Sequence, residues 1–485
     1  MKNVRLSFLL VVCLVLTATL AGAENKVFNV DREFYPYYPS LLKWNKSQVE
    51  FTEPETCGGC HPQQYEEWTG SVHAMAFQDP VYQGELKYAV EAVGHDISRQ
   101  CEGCHTAAAM VSGEIKGPGL KGLSPLAMAG VSCDICHSVS GVTHWQTPSH
   151  EPENGSMILT PGVDTTDGPQ LIKRGPFPAE DGCGGGFHEC SESTIHLRAD
   201  LCASCHQVYH YDKHYPLEAT YLEWKHGPYA QHEILCQDCH MVETETFLRS
   251  ADTFTKPERS EYHHYFNGAN YLLYYLAKAA AEKAGDAELA ANLTKKYEMS
   301  VARLKAAADL EIEPIYQGNV LNEVKVRVKN IRAGHNLPTS LTNIRQMWLE
   351  VTVKDEDGKV LLTSGTLDAD GHLTENTRIF NSDGADDNFH FVVNPWEITS
   401  FSRHDTIPPR GYKEVFYGMP SFDKAANISF EVKLRYRQAD QKIAEKLLGH
   451  VPDDMNLEEI YGLTAVPTLP VVDMVAKSAQ VKTLK

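Results

Sequence analysis

Five times the chain repeats the pattern Cys-x-x-Cys-His. It stands at Cys57, Cys60 and His61, at Cys101, Cys104 and His105, and at Cys133, Cys136 and His137. It recurs at Cys202, Cys205 and His206, and at Cys236, Cys239 and His240. Two thiols at this spacing reach the two vinyl groups on one edge of a porphyrin and form thioethers. The imidazole that follows is then placed to ligate the iron from one face. Zinc is the rival for paired cysteines, but a zinc site takes two such pairs and does not require His after each. His is 22 of 485 residues, so its recurrence after five pairs by chance has a probability of about 10⁻⁷. The motifs predict five covalently attached c-type haems, each with its iron, bound through these ten cysteines. His61, His105, His137, His206 and His240 are then the proximal ligands.

The other axial face decides the chemistry. His or Met there makes a low-spin electron carrier, and an empty face makes a substrate site. Seventeen histidines remain beyond the motifs, whereas only 11 methionines are present and few of them lie nearby. By position the distal candidates are His73, at helical spacing from Tyr65 and Trp68, then His95, His144, His188, His196, His263, His264 and His335. His210, His214, His226 and His232 stay open, and His372, His390, His404 and His450 read as surface residues. Cys183 and Cys190 lie outside the motifs, and Ser191 after Cys190 excludes a sixth one. In an oxidising compartment they are expected to form a disulfide closing the loop CGGGFHEC, with two free thiols as the alternative.

The surrounding sequence must position these groups. Lys2 and Arg5 precede an apolar run from about Leu6 to Leu20 and then Ala21-Gly22-Ala23, the pattern of a signal peptide cleaved after residue 23. The run, which contains Cys13, is short for a membrane span of about 20 residues. An uncleaved anchor is the alternative. Residues 24–50 read as an extended, aromatic-rich arm. Residues 51–254 hold all five motifs, with Gly-, Pro- and Ser-rich connections that read as loops with short helices. Porphyrins must supply much of the core there. Residues 260–312 carry apolar side chains at helical spacing, punctuated by Gly285, and read as a helical hairpin. From Tyr316 the period becomes two, and Glu356-Asp357-Gly358 is a hairpin turn, which predicts an antiparallel β-sandwich over 316–440. The proline-containing tail, 441–485, is expected to lie over the surface. The predicted fold class is thus α+β multidomain: a haem-packed, loop-rich, mainly α cytochrome domain, a helical hairpin and a sandwich.

Several segments together resemble a known family. CxxCHPQQYEEWTGSVHA, GVSCDICHSVSG, KRGPF, LCASCH, TYLEWKHGPYAQHEILCQDCHM, HHYFNGAN and GHNLPTSLTNIRQMWLEVTV are similar to those of multihaem cytochromes c from anaerobically respiring bacteria. That group is related to the tetrahaem cytochrome of ammonia oxidation and, more distantly, to pentahaem nitrite reductase. The resemblance runs from about Thr52 to Tyr436. It implies His73, His196, His264 and His335 as distal ligands, the last returning from a loop that opens the sandwich. For the fifth it leaves His188, His95 and His144 in competition. Ser340 stands where the family usually has Gly, and the loop from Cys183 to Cys190 is a local insertion. The nitrite reductases use Lys in place of His at the catalytic haem, whereas all five motifs here end in His.

The formal charge of −20 argues against nucleic acid as a partner, because phosphate recognition needs a basic face. It favours redox partner proteins with basic surfaces or a cationic mineral acceptor. No second apolar stretch is long enough to span a bilayer, so no integral membrane segment is expected in the mature chain. The leading expectation is an exported electron carrier, periplasmic or at the cell surface, working between a respiratory donor and an extracytoplasmic acceptor rather than as an enzyme. Self-assembly into a haem filament is compatible with that role. The alternative is a reductase of a small nitrogen or sulfur oxyanion at one haem with an open axial position, for which Arg174, Tyr209 and His210 are unspecific proton-donor candidates.

Overall fold

The computed structural model describes residues 40–483 apart from 116, 148 and 423–425. The predicted signal peptide and most of the N-terminal arm lie outside the described residues. Helices and sheets are mixed along the rest. No helix among the described residues is long and apolar enough to cross a membrane.

Each Cys-x-x-Cys-His motif falls on one short helix: Pro54–Gly58, Ser98–His105, Cys133–His137, Asp200–His206 or Cys236–His240. Residues i, i+3 and i+4 share a helix face, so this geometry puts both thiols and the imidazole on one side. Regular helix stops at Gly58 in the first motif. The N–H groups of Cys60 and His61 nevertheless donate to the Cys57 carbonyl at 3.1 and 2.9 Å, which carries the turn through the motif. Helix Pro62–Trp68 does not extend to His73, as the helical spacing predicts. Gly70, at φ +69°, turns the chain, and His73 lies in the run of turns that follows.

Two helices, Tyr271–Ala284 and Ala287–Ala307, form a hairpin about Gly285, which has φ +76°, and Asp286 caps the second by accepting from Leu289 N–H at 3.0 Å. Their buried faces meet at Tyr274, Ala281, Ala290 and Leu293, with Val72 and Met75 from the His73 segment packed alongside. The hairpin thereby supports the motif region. Arg303 adds to this by donating to the carbonyl oxygen of Val242 at 2.9 Å.

Beyond it, strands Ala308–Gln317, Val320–Asn330 and Tyr412–Gly418 form an antiparallel sheet with Val320–Asn330 in the centre. A second sheet orders Val360–Ser364, Gln346–Lys354, Ala426–Arg437 and Val472–Thr483, with Ile379–Phe380 also on Gln346–Lys354. Period-two alternation buries Val324, Val326 and Val328 of the first sheet against Leu349, Val351, Phe430 and Leu434 of the second in one core. The sheet begins at Ala308, directly from the preceding helix, earlier than residue 316. The tail also differs from expectation. Val472–Thr483 pairs along Ala426–Tyr436 and buries Val472, Met474 and Val481, while Gln441–Leu448 buries Ala444, Leu447 and Leu448. Alternation in DMVAKSAQV is interrupted by small residues, which hides this strand from a hydrophobic pattern.

Candidate functional site

The motif helices surround one branched cavity of about 1400 Å³, larger than the ~300–1,000 Å³ of an ordinary small-molecule pocket. All ten motif cysteines and all five motif histidines line it, together with His73, His188, His196, His264 and His335. His95 and His144 do not line it. His95 is exposed beside Gly117, and His144 is half-buried at the start of a short turn. His263 is held elsewhere, with its Nδ1 against the Glu67 carboxylate at 2.6 Å. His210 pairs through Nε2 with the Trp396 carbonyl at 3.0 Å, and His214 with Glu153 at 2.7 Å.

Imidazole nitrogens ligate first-row metals at ~2.0–2.1 Å, so two rings on opposite faces of one iron have centroids about 6.3 Å apart. Four pairs stand near this spacing: His61–His188 at 6.5 Å, His73–His206 at 6.2 Å, His137–His264 at 6.2 Å and His240–His335 at 6.4 Å. His137 has a second neighbour, His196, at 5.7 Å. The ring of His196 gives its Nε2 to the Cys136 carbonyl at 3.0 Å and leaves a buried Nδ1 without a partner. His105 is different. Among the described residues no second imidazole is paired with it, and Tyr82 stacks on its ring at 3.9 Å, too close for an iron between them.

Hydrogen bonding fits the same chemistry. The Nδ1–H groups of His105, His137 and His240 donate to the carbonyls of Ala76, Arg174 and Asn267 at 2.8, 2.6 and 2.7 Å. His188 and His335 do likewise toward Glu189 and Asn336, at 3.1 and 2.9 Å. A proton held at Nδ1 leaves the Nε2 lone pair for a metal. Burial pushes His73 and His240 down to about 3, and His105 and His264 to about 4, helped for His73 and His264 by neighbouring imidazoles. They are neutral near pH 7, as ligation requires. Lys173, paired with buried Asp134, and Arg174 and Arg345 also reach the wall.

Thiol neighbours give the order of the sites. The Cys57 thiol neighbours that of Cys133, Cys104 that of Cys205, and Cys202 that of Cys236. Cys136 lies near Cys202 and Cys205. The first motif thus adjoins the third and the third adjoins the fourth, while the second and fifth both meet the fourth. Cys60 and His61 are exposed, which puts the first motif at the open end of this row. The order cannot be read from sequence, because it depends on how five short helices pack.

The 335–340 loop reaches the cavity from the sandwich and is tied down by two glutamates. Glu223 accepts from Asn336 N–H at 3.1 Å and from Thr339 Oγ1 at 2.5 Å, and Glu218 accepts from Ser340 Oγ at 2.7 Å. Ser340 has φ +68°, a left-handed conformation that favours glycine, which accounts for the glycine usual at this position in the family the chain resembles. Its bond to Glu218 offsets the strain. Glu223 lies within the segment TYLEWKHGPYAQHEILCQDCHM, but nothing in the sequence marks either glutamate as a brace for this loop. Burial raises the Glu223 carboxyl to about 7 despite the two donors. The folded chain therefore holds a proton that the unfolded chain has already released, and this contribution to stability falls as pH rises from the ordinary carboxylate range through about 7. Thermal unfolding followed from about pH 5 to 8 should show Tm declining less in Glu223→Gln than in the parent. Equal slopes would remove Glu223 from the account.

The cysteines at 183 and 190 are joined as a disulfide, with Cα atoms 6.0 Å apart. It closes the turn in front of His188.

Residues 56–138, which include the first three motifs, match the family model described as cytochrome c554 and c-prime. No curated protein sequence matches the chain. Among solved structures, the chain is similar in fold to a penta-heme cytochrome c552 from Thermochromatium tepidum, with a TM-score of 0.57 and 18% identity. The match covers 89% of this chain and 99% of that one.

Proposed function

We propose that this chain, which is a multihaem c-type cytochrome, carries five haems and relays electrons along them outside the cytoplasm. Bound haem c supplies one-electron chemistry at its iron, tuned by axial ligands and burial. The observation that carries the reading is the set of four His–His pairs at ligating distance around one continuous cavity. In it, Cys57, Cys60, His61 and His188 hold the first site, and Cys133, Cys136, His137 and His264 the third. Cys202, Cys205, His206 and His73 hold the junction, and Cys236, Cys239, His240 and His335 the fifth site. Contacts between neighbouring motif thiols bring each of these sites against the next. The exposed first motif is the exchange end, where redox partner proteins or a mineral surface are met. The acidic chain favours a basic partner there.

A second reading is supported by one observation, the unpaired His105. Tyr82, stacked on its ring, and Glu85, on the same helix as Tyr82, line the cavity, and the Tyr82 hydroxyl and Glu85 Oε1 are buried without partners. Burial raises Glu85 to about 7, so this carboxyl can hold a proton at neutral pH. That is the environment of a reductase for a small nitrogen or sulfur oxyanion. Coulometric reduction separates the two readings. A relay takes up one electron per motif, five per chain, and releases them unchanged in the presence of nitrite, hydroxylamine or sulfite. Continuous consumption of donor on adding one of these would move the function to the reductase.

A further inference from the structure

His188 sits in a turn, its Nδ1 held by the Glu189 carbonyl at 3.1 Å with the Cys190 sulfur 3.7 Å away. Cys183 N–H donates to Glu180, Gly185 to Gly182 and Phe187 to Gly184, so the described backbone hydrogen bonds of this stretch are local. Gly182, Gly184, Gly185 and Gly186 all have positive φ, and such a glycine run is costly to order. The anchored part begins only at Glu189, where Glu189–Glu192 pairs in parallel with Gly168–Gly175. Cys190 sits on that strand opposite Lys173, and its bond to Cys183 ties the glycine turn back to it.

The turn packs on the imidazole. A Cβ added to Gly184 would stand 2.8 Å from His188 Nδ1 and 3.0 Å from Cε1. His61 stands 6.5 Å from His188 between ring centroids. Phe187, 57% exposed, covers the outside. The imidazole therefore packs against a disulfide-clamped backbone beside the exposed first site.

We propose that the Cys183–Cys190 disulfide keeps His188 on the distal side of the first site, placing that site's sixth coordination position under thiol–disulfide control. The inference rests on the reading of His188 as a distal ligand. An external dithiol opens the clamp by exchange. Its thiolates attack in turn, the Cys183–Cys190 bond breaks, and the two cysteines take up two electrons and two protons as the reductant closes to its own disulfide. The freed glycine turn no longer backs the ring, and the sixth position becomes available to an outside ligand at the exposed end of the row.

The test uses the haem-loaded protein. It is treated with dithiothreitol, alkylated with iodoacetamide, re-oxidised with ferricyanide and examined by low-temperature EPR, with mass spectrometry confirming two alkylated cysteines. One haem per chain is expected to change from low-spin to high-spin and to bind added cyanide. The double variant Cys183→Ser with Cys190→Ser should do the same without reductant, and Gly184→Ala should do so with the disulfide intact. His188→Ala separates the inference from its premise. If His188→Ala yields a second high-spin haem beside the one at His105 but the opened loop keeps the parent's spectrum, the clamp is overturned and the ligand stands. If His188→Ala leaves the spectrum unchanged, both are overturned.

Discussion

A chain in which Cys202 and Cys205 are both serine should carry four haems instead of five and lose the exchange of electrons between the two sides of the row. The fourth motif touches three others: Cys205 meets Cys104, Cys202 meets Cys236, and both lie near Cys136. With oxidation entering at the exposed first motif, the parent should release five electrons in one fast process, one per motif. The variant should release only the two held at the first and third motifs quickly, leaving those at the second and fifth stranded. Stopped-flow oxidation with a bulky acceptor measures the split, and the mass of the covalently loaded chain verifies the missing haem. A single fast phase in the four-haem protein would mean that another path joins the branches.

His264→Ala is expected to turn one low-spin haem high-spin, whereas His196→Ala should leave the low-spin count unchanged. Both rings lie beside His137, at 6.2 and 5.7 Å, but they are held differently. His196 spends Nε2 on the Cys136 carbonyl. His264 is fixed through its backbone N–H, which donates to buried Glu67 at 2.7 Å, and its ring faces the cavity. Low-temperature EPR of the two oxidised variants decides between them. On the expected result His196 acts on the third site only by bracing the Cys136 peptide. An additional high-spin haem in His196→Ala alone would reverse the assignment.

How much of this could be read from the residues varies with the range of the signal. Cys-x-x-Cys-His is a local instruction, complete within five positions, and needs no tertiary information. The imidazoles proposed as distal ligands are long-range: His335 stands 6.4 Å from His240 across a loop of the sheet region, and His188 belongs to a turn closed by its own disulfide. Sequence position placed His188 in competition with His95 and His144, since spacing alone does not say which loop folds back over a motif. Structure brings His188 to 6.5 Å from His61 and leaves His95 exposed. The alternation of VKVRVKN is strong enough to announce a strand, and Gly285 marks its helix end through a left-handed φ. The strand Val472–Thr483 was hidden because Ala and Ser occupy several of its positions. Glu223 lies inside the segment TYLEWKHGPYAQHEILCQDCHM, yet nothing marks it or Glu218 as a partner of the 335–340 loop, because these pairings join residues 113 and 122 positions apart.

Low-temperature EPR of the oxidised protein, combined with a pyridine haemochrome count and cyanide titration, tests the central claim most directly. Five haems per chain are expected, one for each motif, of which four are low-spin and inert. The haem bound at His105 alone should take up cyanide. Two or more cyanide-binding haems, or a count below five in fully matured protein, would contradict it.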